Sequence, residues 1–429
     1  MESVSDETYE IQALDYDRPP KGRERDLITA ILKRLFPGLP LALDFGDGDL
    51  RPLSDRPASV HLAPPRLRSL LTLLVNPGLH FGESFMDGKW YVSKGSVFDL
   101  LLMFLTAGGG EARAQGLTFG LFEIATHYYK QFIATFSATR EVARHYDVNT
   151  GLYQLMIGDD LVYSAGFFED GITDLKGAQQ RKFDTIFRRM RLDEPETLKV
   201  LDIGCGWGSF ERYFPANLKG EVDAISISEG QINWAREHVQ EIAGGKDLKV
   251  NFVKEDYRTF CKRHPGEYNR VVSVGMLEHV GESKYGHYFK AIDDVLSRDG
   301  VALIHSIVKH MPGRTNLWVD RYIFPGGYVP MVSEVIAGIE AAGLKTRAFH
   351  FHPGIHYLTT LRHWLRQLLD NEAKILALLE GEYKGQNGAR AKKVARTTFR
   401  MFVFYLSAVQ LMFYRDYSDN GTGHFVVTR

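Results

Sequence analysis

Between residues 175 and 307 short apolar segments alternate with helical ones, and this alternation constrains the fold more than any other feature. Ala178–Met190 has helical periodicity. Leu198–Ile203 reads LKVLDI, Val222–Ile227 VDAISI, Lys249–Val253 KVNFV, Arg270–Val274 RVVSV and Val301–Ile307 VALIHSI. Near-continuous apolar runs of this length suit strands covered on both faces, as in a parallel sheet flanked by helices. Strands joined through helices predict an α/β, doubly wound sheet and exclude a helical bundle or a β-sandwich. A helix is expected to start near Ser209. Ser228 is placed to cap the helix that carries Gln231 and Trp234.

The turn after the first strand carries the first chemistry. It runs Asp202, Ile203, Gly204, Cys205, Gly206, Trp207, Gly208. Glycines there let backbone approach a ligand at a helix N-terminus. The spacing is not that of a dinucleotide fingerprint, and no P-loop lysine follows. Asp223 lies on the wrong side of the second strand to reach a ribose, and Glu229 is closer. The D-x-G-x-G-x-G shape fits the loop that wraps the amino-acid end and ribose of S-adenosylmethionine; the competing reading is a purely structural loop. After the third strand, Asp256 can accept the adenine amino group and Tyr257 can lie beside the ring. A plain helix cap is the alternative for Asp256.

The fourth strand runs into Gly275-Met276-Leu277-Glu278-His279, and His305 lies inside the fifth. Ligands bind at the carboxyl edge of such sheets. A Glu and a His at the ends of neighbouring strands can hold a polar ligand or a catalytic ion, although a lone His in an apolar strand is usually core. No H-x-x-x-H or H-E-x-x-H spacing lies near them. His350 and His352 share one side of a strand and His356 follows, but no metal is expected. No G-x-S-x-G elbow is present, and Cys205 sits within the glycine loop.

Composition limits the partners. Lys+Arg is 52 and Asp+Glu 53, so no global positive field argues for nucleic acid. Two cysteines, Cys205 and Cys261, make structural disulfides unexpected and the cytoplasm the default. The longest apolar run, Leu100–Ala107, is far short of the roughly 20 residues a spanning helix needs. Helices are expected at 27–36, Leu67–Val75, Gly82–Met86 and Ser96–Leu105, with strands at LALDF and SVHLA. GGGEARAQG at 108–116 reads as a boundary, and 117–142 as an aromatic helix. Residues 370–390 read as an exposed loop, 399–413 as a buried lid helix, and the terminal GHFVVTR as an edge or last strand.

Several segments together resemble the cyclopropane-fatty-acyl-phospholipid synthase family of S-adenosylmethionine-dependent methyltransferases. They are LVYSAGFF, GAQQRKFDTI, LDIGCGWGSF, ISISEGQ, VVSVGMLEHVG, LIHSI, RYIFPGGYVP, HFHPGIHYLTTLRHW and FRMFVFYLSAVQLMF. The likeness is dense over 145–429, and GESFMDGKW at 82–90 is similar to the family's front-domain segment. It implies a class I, Rossmann-like methyltransferase sheet with helical insertions and a smaller mixed α/β N-terminal domain. The implied division is a flexible lead at 1–25, a lipid-associated domain at 26–110, a helical linker at 111–144 and the catalytic domain at 145–429.

The resemblance implies methylation of the cis double bond of an unsaturated acyl chain in a membrane phospholipid. Loss of a proton from the added methyl then closes a cyclopropane. The implied cofactor contacts are Tyr163, Ser164, Asp202, Gly204, Cys205, Gly206, Gly208, Ser226, Ser228, Gln231, Asp256 and Tyr257. Glu278, helped by the Gly275 backbone, His305 and Tyr357 are implied around a bound bicarbonate ion. A cytoplasmic protein, peripheral on the inner face of the membrane, follows, with a homodimer as a candidate assembly. Arg66 and Arg68 beside a leucine run, and the basic stretch from Arg390, are the candidate docking segments.

One departure stands out. Where the family usually reads Tyr-Ser-Cys-Ala-Tyr-Phe, this chain has Tyr163-Ser164-Ala165-Gly166-Phe167-Phe168. Ala165 replaces a cysteine of the bicarbonate site, Gly166 is expected to add slack, and Phe167 loses a hydroxyl. The product is thus a ring or, alternatively, a methylene or methyl branch. A catalytically weak lipid-binding homologue is the third reading.

Overall fold

The computed structural model describes residues 19–107, 149–192, 197–214, 218–239, 247–313, 315–382, 388–414 and 419–429. The expected boundary at 108–116 and the helix at 117–142 lie outside them. The chain forms two compact units. The first comprises Met1–Tyr129, Asn316–Tyr322 and Leu365–Leu411, and the second Lys130–Thr315, Ile323–Trp364 and Met412–Arg429. The division is not contiguous in sequence, unlike the partition at 26–110 and 145–429.

In the first unit, strands β1 (Leu41–Asp44), β2 (Leu50–Pro52), β3 (Val60–Ala63) and β4 (Tyr91–Lys94) form a sheet in the order β2-β1-β3-β4. Asn76 ends one helix, Leu67–Val75, and starts the next, Pro77–Met86. Its side chain accepts the Leu79 N–H, and Pro77 occupies the first turn, where a missing N–H costs nothing. The second helix therefore starts earlier than the expected Gly82. In the GESFMDGKW segment, a Cβ on Gly82 would lie 2.5 Å from the Trp318 indole nitrogen and 2.8 Å from the Phe404 ring. The Trp90 indole donates to the Phe81 carbonyl, and the Tyr322 hydroxyl to Glu83. The segment is thus a packing device.

Among the described residues of the expected loop at 370–390, nearly all are helical. Glu372–Glu382 is a helix that buries Ile375 and Leu379 one turn apart, and a long helix covers Gly388–Gln410. That helix buries the expected aromatic stretch, with Phe404 against Phe81, Phe85 and Trp318.

The second unit is built on seven strands. They are β5 (Leu198–Ile203), β6 (Gly220–Ser226), β7 (Leu248–Lys254), β8 (Tyr268–Val274), β9 (Leu296–Val308), β10 (Lys345–Pro353) and β11 (Gly421–Thr428). Their order is β10-β11-β9-β8-β5-β6-β7, parallel from β7 to β9, with β11 antiparallel to both neighbours. This is the doubly wound α/β sheet that the alternation predicts, in the class I, Rossmann-like form that the resemblance implies. β11 is last in sequence but interior in the sheet; β10 takes the edge. Among the described residues no helix is long and apolar enough to cross a membrane.

Candidate active site

A cavity opens at the carboxyl ends of β5, β6, β7 and β8. The glycine loop forms its floor. Gly204 and Gly208 have φ of 90° and 72°, a region that a side chain strains. A Cβ on Gly204 would meet Met276 at 2.9 Å, and one on Gly208 would meet Phe252 at 2.8 Å. The Gly204 and Cys205 N–H groups both donate to the Ile225 carbonyl, which ties the loop to β6.

Tyr163, Ser164, Asp202, Gly204, Cys205, Gly206, Ser226, Ser228, Gln231, Asp256 and Tyr257 line this cavity. Gly208 lies outside the lining and sets the loop against Phe252. Ser228 caps its helix through the Gln231 N–H, and the Ser226 hydroxyl donates to the Gln231 side chain. Asp256 does two jobs: it lines the cavity and it caps Tyr257–Arg263. Sequence reasoning gave no role to Trp207, His279 and Lys284, which also line the wall. His279 sits in the quoted VGMLEHVG run, which could have flagged it.

Electrostatics sharpen the floor. Asp202 is buried, and burial pushes its carboxyl up to about 7. Burial, and then the Asp202 charge, push the neighbouring Glu211 carboxyl well above its ordinary value. A cationic ligand group over Asp202 would restore its charge. Lys182 is fully buried behind Ser164, donating to its hydroxyl at 2.7 Å and to Gln179 at 2.7 Å. Burial drives its ammonium well down.

Glu278 follows β8 in a short turn, between Met276 and His279 of the cavity wall. The Ile307 N–H donates to its Oε1 at 2.7 Å, while Oε2 is buried with no partner. Burial raises the carboxyl to about 7, against the Ile307 hydrogen bond. The Gly275 N–H donates to the His305 carbonyl at 2.9 Å, so backbone help from Gly275 would have to come from its carbonyl oxygen.

Glu278 and His305 share no hydrogen bond. The His305 ring turns to His424, Nδ1 to Nε2 at 2.7 Å. The Tyr357 ring packs 4.4 Å from Phe413 and is not in the cavity lining. Ala165 is fully buried, next to Ser164. Gly166 adds no slack: a Cβ there would meet the Ala178 Cβ at 2.8 Å. Phe167 stacks on His352 with ring centroids 3.9 Å apart.

The sequence profile of the mycolic acid cyclopropane synthetase family matches residues 134–420. A probable fatty acid methyltransferase of Pseudomonas putida is 35% identical over 244 residues, 56% of this chain. The chain spans 60% of that relative's length. The cyclopropane-fatty-acyl-phospholipid synthase of Escherichia coli K12 is 29% identical over 348 residues, 78% of this chain and 80% of the relative. The structure of a cyclopropane synthase from Mycobacterium tuberculosis superposes with a TM-score of 0.56 at 22% identity. That superposition covers 68% of this chain and 98% of the other, and speaks for the fold. With the profile matched across sheet, cavity and Glu278 turn, the chain belongs to the cyclopropane synthetase family of S-adenosylmethionine-dependent lipid methyltransferases.

Proposed function

We propose that the protein transfers a methyl group from S-adenosylmethionine to an alkene carbon of an unsaturated acyl chain in a membrane phospholipid, and closes a cyclopropane. The observation that carries the reading is Glu278, in the turn that lends Met276 and His279 to the cavity wall, with its Oε2 buried and unpartnered. When bound, S-adenosylmethionine supplies an electrophilic methyl group. Gly204, Gly206, Ser226, Gln231 and Tyr257 orient it, and Asp202 faces its cationic end. An alkene is a weak nucleophile, and its methylated form is a carbocation that water would quench. The apolar walls keep water out.

The proton lost from the added methyl needs a base. Glu278, held near neutrality, can take it at Oε2. If a bicarbonate ion were bound, Oε2 would instead accept its hydroxyl and the ion would supply the base. The protein works at the membrane surface, where the exposed Leu71 of Leu67–Val75 and the basic Arg66 that precedes the helix offer a docking face.

Pure protein, labelled S-adenosylmethionine and unsaturated phospholipid vesicles test the reading; lipid mass spectrometry identifies the product. Glu278→Gln should bind S-adenosylhomocysteine within about two-fold of wild type and lose at least a hundred-fold in turnover. Near-normal turnover sinks the role of Glu278. Ala165 favours a second reading, a methylene or methyl branch, since a family cysteine is missing. Ala165→Cys should then shift the ring-to-branch ratio; an unchanged ratio and rate would remove that reading.

A further inference from the structure

Four buried histidines, His305, His352, His356 and His424, meet the half-buried Arg189 around Phe167. Arg189 Nη1 lies 2.8 Å from His352 Nε2 and 2.5 Å from His424 Nδ1. His424 Nε2 lies 2.7 Å from His305 Nδ1. The Phe168 N–H donates to His356 Nδ1 at 3.1 Å. Phe167 packs among these imidazoles, 5.5 Å from His424 and 6.2 Å from His305 by ring centroid.

The hydrogen positions follow from chemistry. A guanidinium has only donors, and a neutral imidazole has one donor and one acceptor. Burial lowers the Arg189 pKa to about 10, which leaves it charged at neutral pH. Arg189 therefore forces His424 Nδ1 and His352 Nε2 to accept. His424 must then carry its hydrogen on Nε2 and donate it to His305 Nδ1. Neutral His305 carries its hydrogen on Nε2. Burial pushes the His305 imidazole well below its ordinary value.

The same logic decides a neighbouring cluster. Glu169, His352 and His356 have the spacing of a metal site. Yet His352 keeps its hydrogen on Nδ1 and His356 on Nε2, the atoms 3.8 and 3.9 Å from the Glu169 carboxylate. Two N–H groups face the carboxylate there, and no imidazole lone pair is offered to a cation.

We infer that Arg189 is a positioning residue that, through His424, fixes His305 as an Nε2–H donor and so denies it the role of base. This rests on the reading of His305 as part of the active site. The assignment divides the labour: Glu278 takes protons, and His305 gives a hydrogen bond to oxygen. His305 can then steady an anionic oxygen beside the reacting chain, which a base at the same place would repel.

The test is nitrogen-15 NMR of histidine-labelled protein, with the His305 signal assigned by its loss in His305→Gln. Wild type should show the Nε2–H tautomer at His305. His424→Phe and Arg189→Met should give mixed tautomers there and lower kcat at least ten-fold, with KM for S-adenosylmethionine within two-fold. His424→Gln and Arg189→Lys, which keep a donor in place, should recover most of the rate. A wild-type Nδ1–H tautomer overturns the inference, and this readout stands even if a variant fails to fold. A tautomer that shifts while kcat holds also overturns it, leaving methyl transfer intact. A wild-type enzyme with the expected tautomer and no methyl transfer would instead defeat the proposed function.

Discussion

Glu278 is the residue on which the chemistry and the stability meet. Its carboxyl sits at about 7 in the folded protein against a usual 4.5. Between those values the folded state binds more proton than the unfolded one. Stability from this group is therefore full below about pH 4.5, falls as pH rises, and levels off above about 7. The lost increment is about 3 kcal/mol. Glu278→Gln removes the burden, so the variant should gain on wild type from pH 5 to pH 8 by roughly 2–3 kcal/mol. Urea melts at the two pH values measure this; an equal difference at both would show that Glu278 stays ionised.

Single elements carry the next level. Asp256 caps a helix and also pairs with Arg258. Asparagine caps as well as aspartate, so Asp256→Asn should cost little stability, while Asp256→Ala should cost about 1 kcal/mol. Thermal melts of both variants separate cap from charge, and calorimetry with S-adenosylhomocysteine reads the cavity side. On the front helix, Gly82→Ala would push a methyl into Trp318 and Phe404. Overpacking of this kind should lower stability by about 1–3 kcal/mol. The cavity residues belong to the other unit, so affinity for S-adenosylhomocysteine should stay within about two-fold in the folded variant. The stretch 370–390 misled sequence reasoning because its glycines announce a turn, while Ile375 and Leu379 anchor a helix that only partners reveal.

At the scale of the whole molecule, the C-terminal strand decides most. β11 pairs along its length with both β9 and β10. It also supplies His424. A chain ending at Asn420 should lose cooperative unfolding, seen as a flat calorimetric trace; a sharp transition would show that the sheet closes without it. Sequence alone determined the strand–helix alternation, the glycine loop and the Ser228 cap. These features depend on periodicity and turn chemistry among near neighbours. Tertiary structure decided the interior place of β11, the commitment of the Gly275 N–H and the tight seat of Gly166. It also decided the burial of Glu278 and the tautomers set by Arg189. Each of those depends on atoms brought together from distant parts of the chain, where burial and hydrogen-bond geometry, not local pattern, fix where a proton rests.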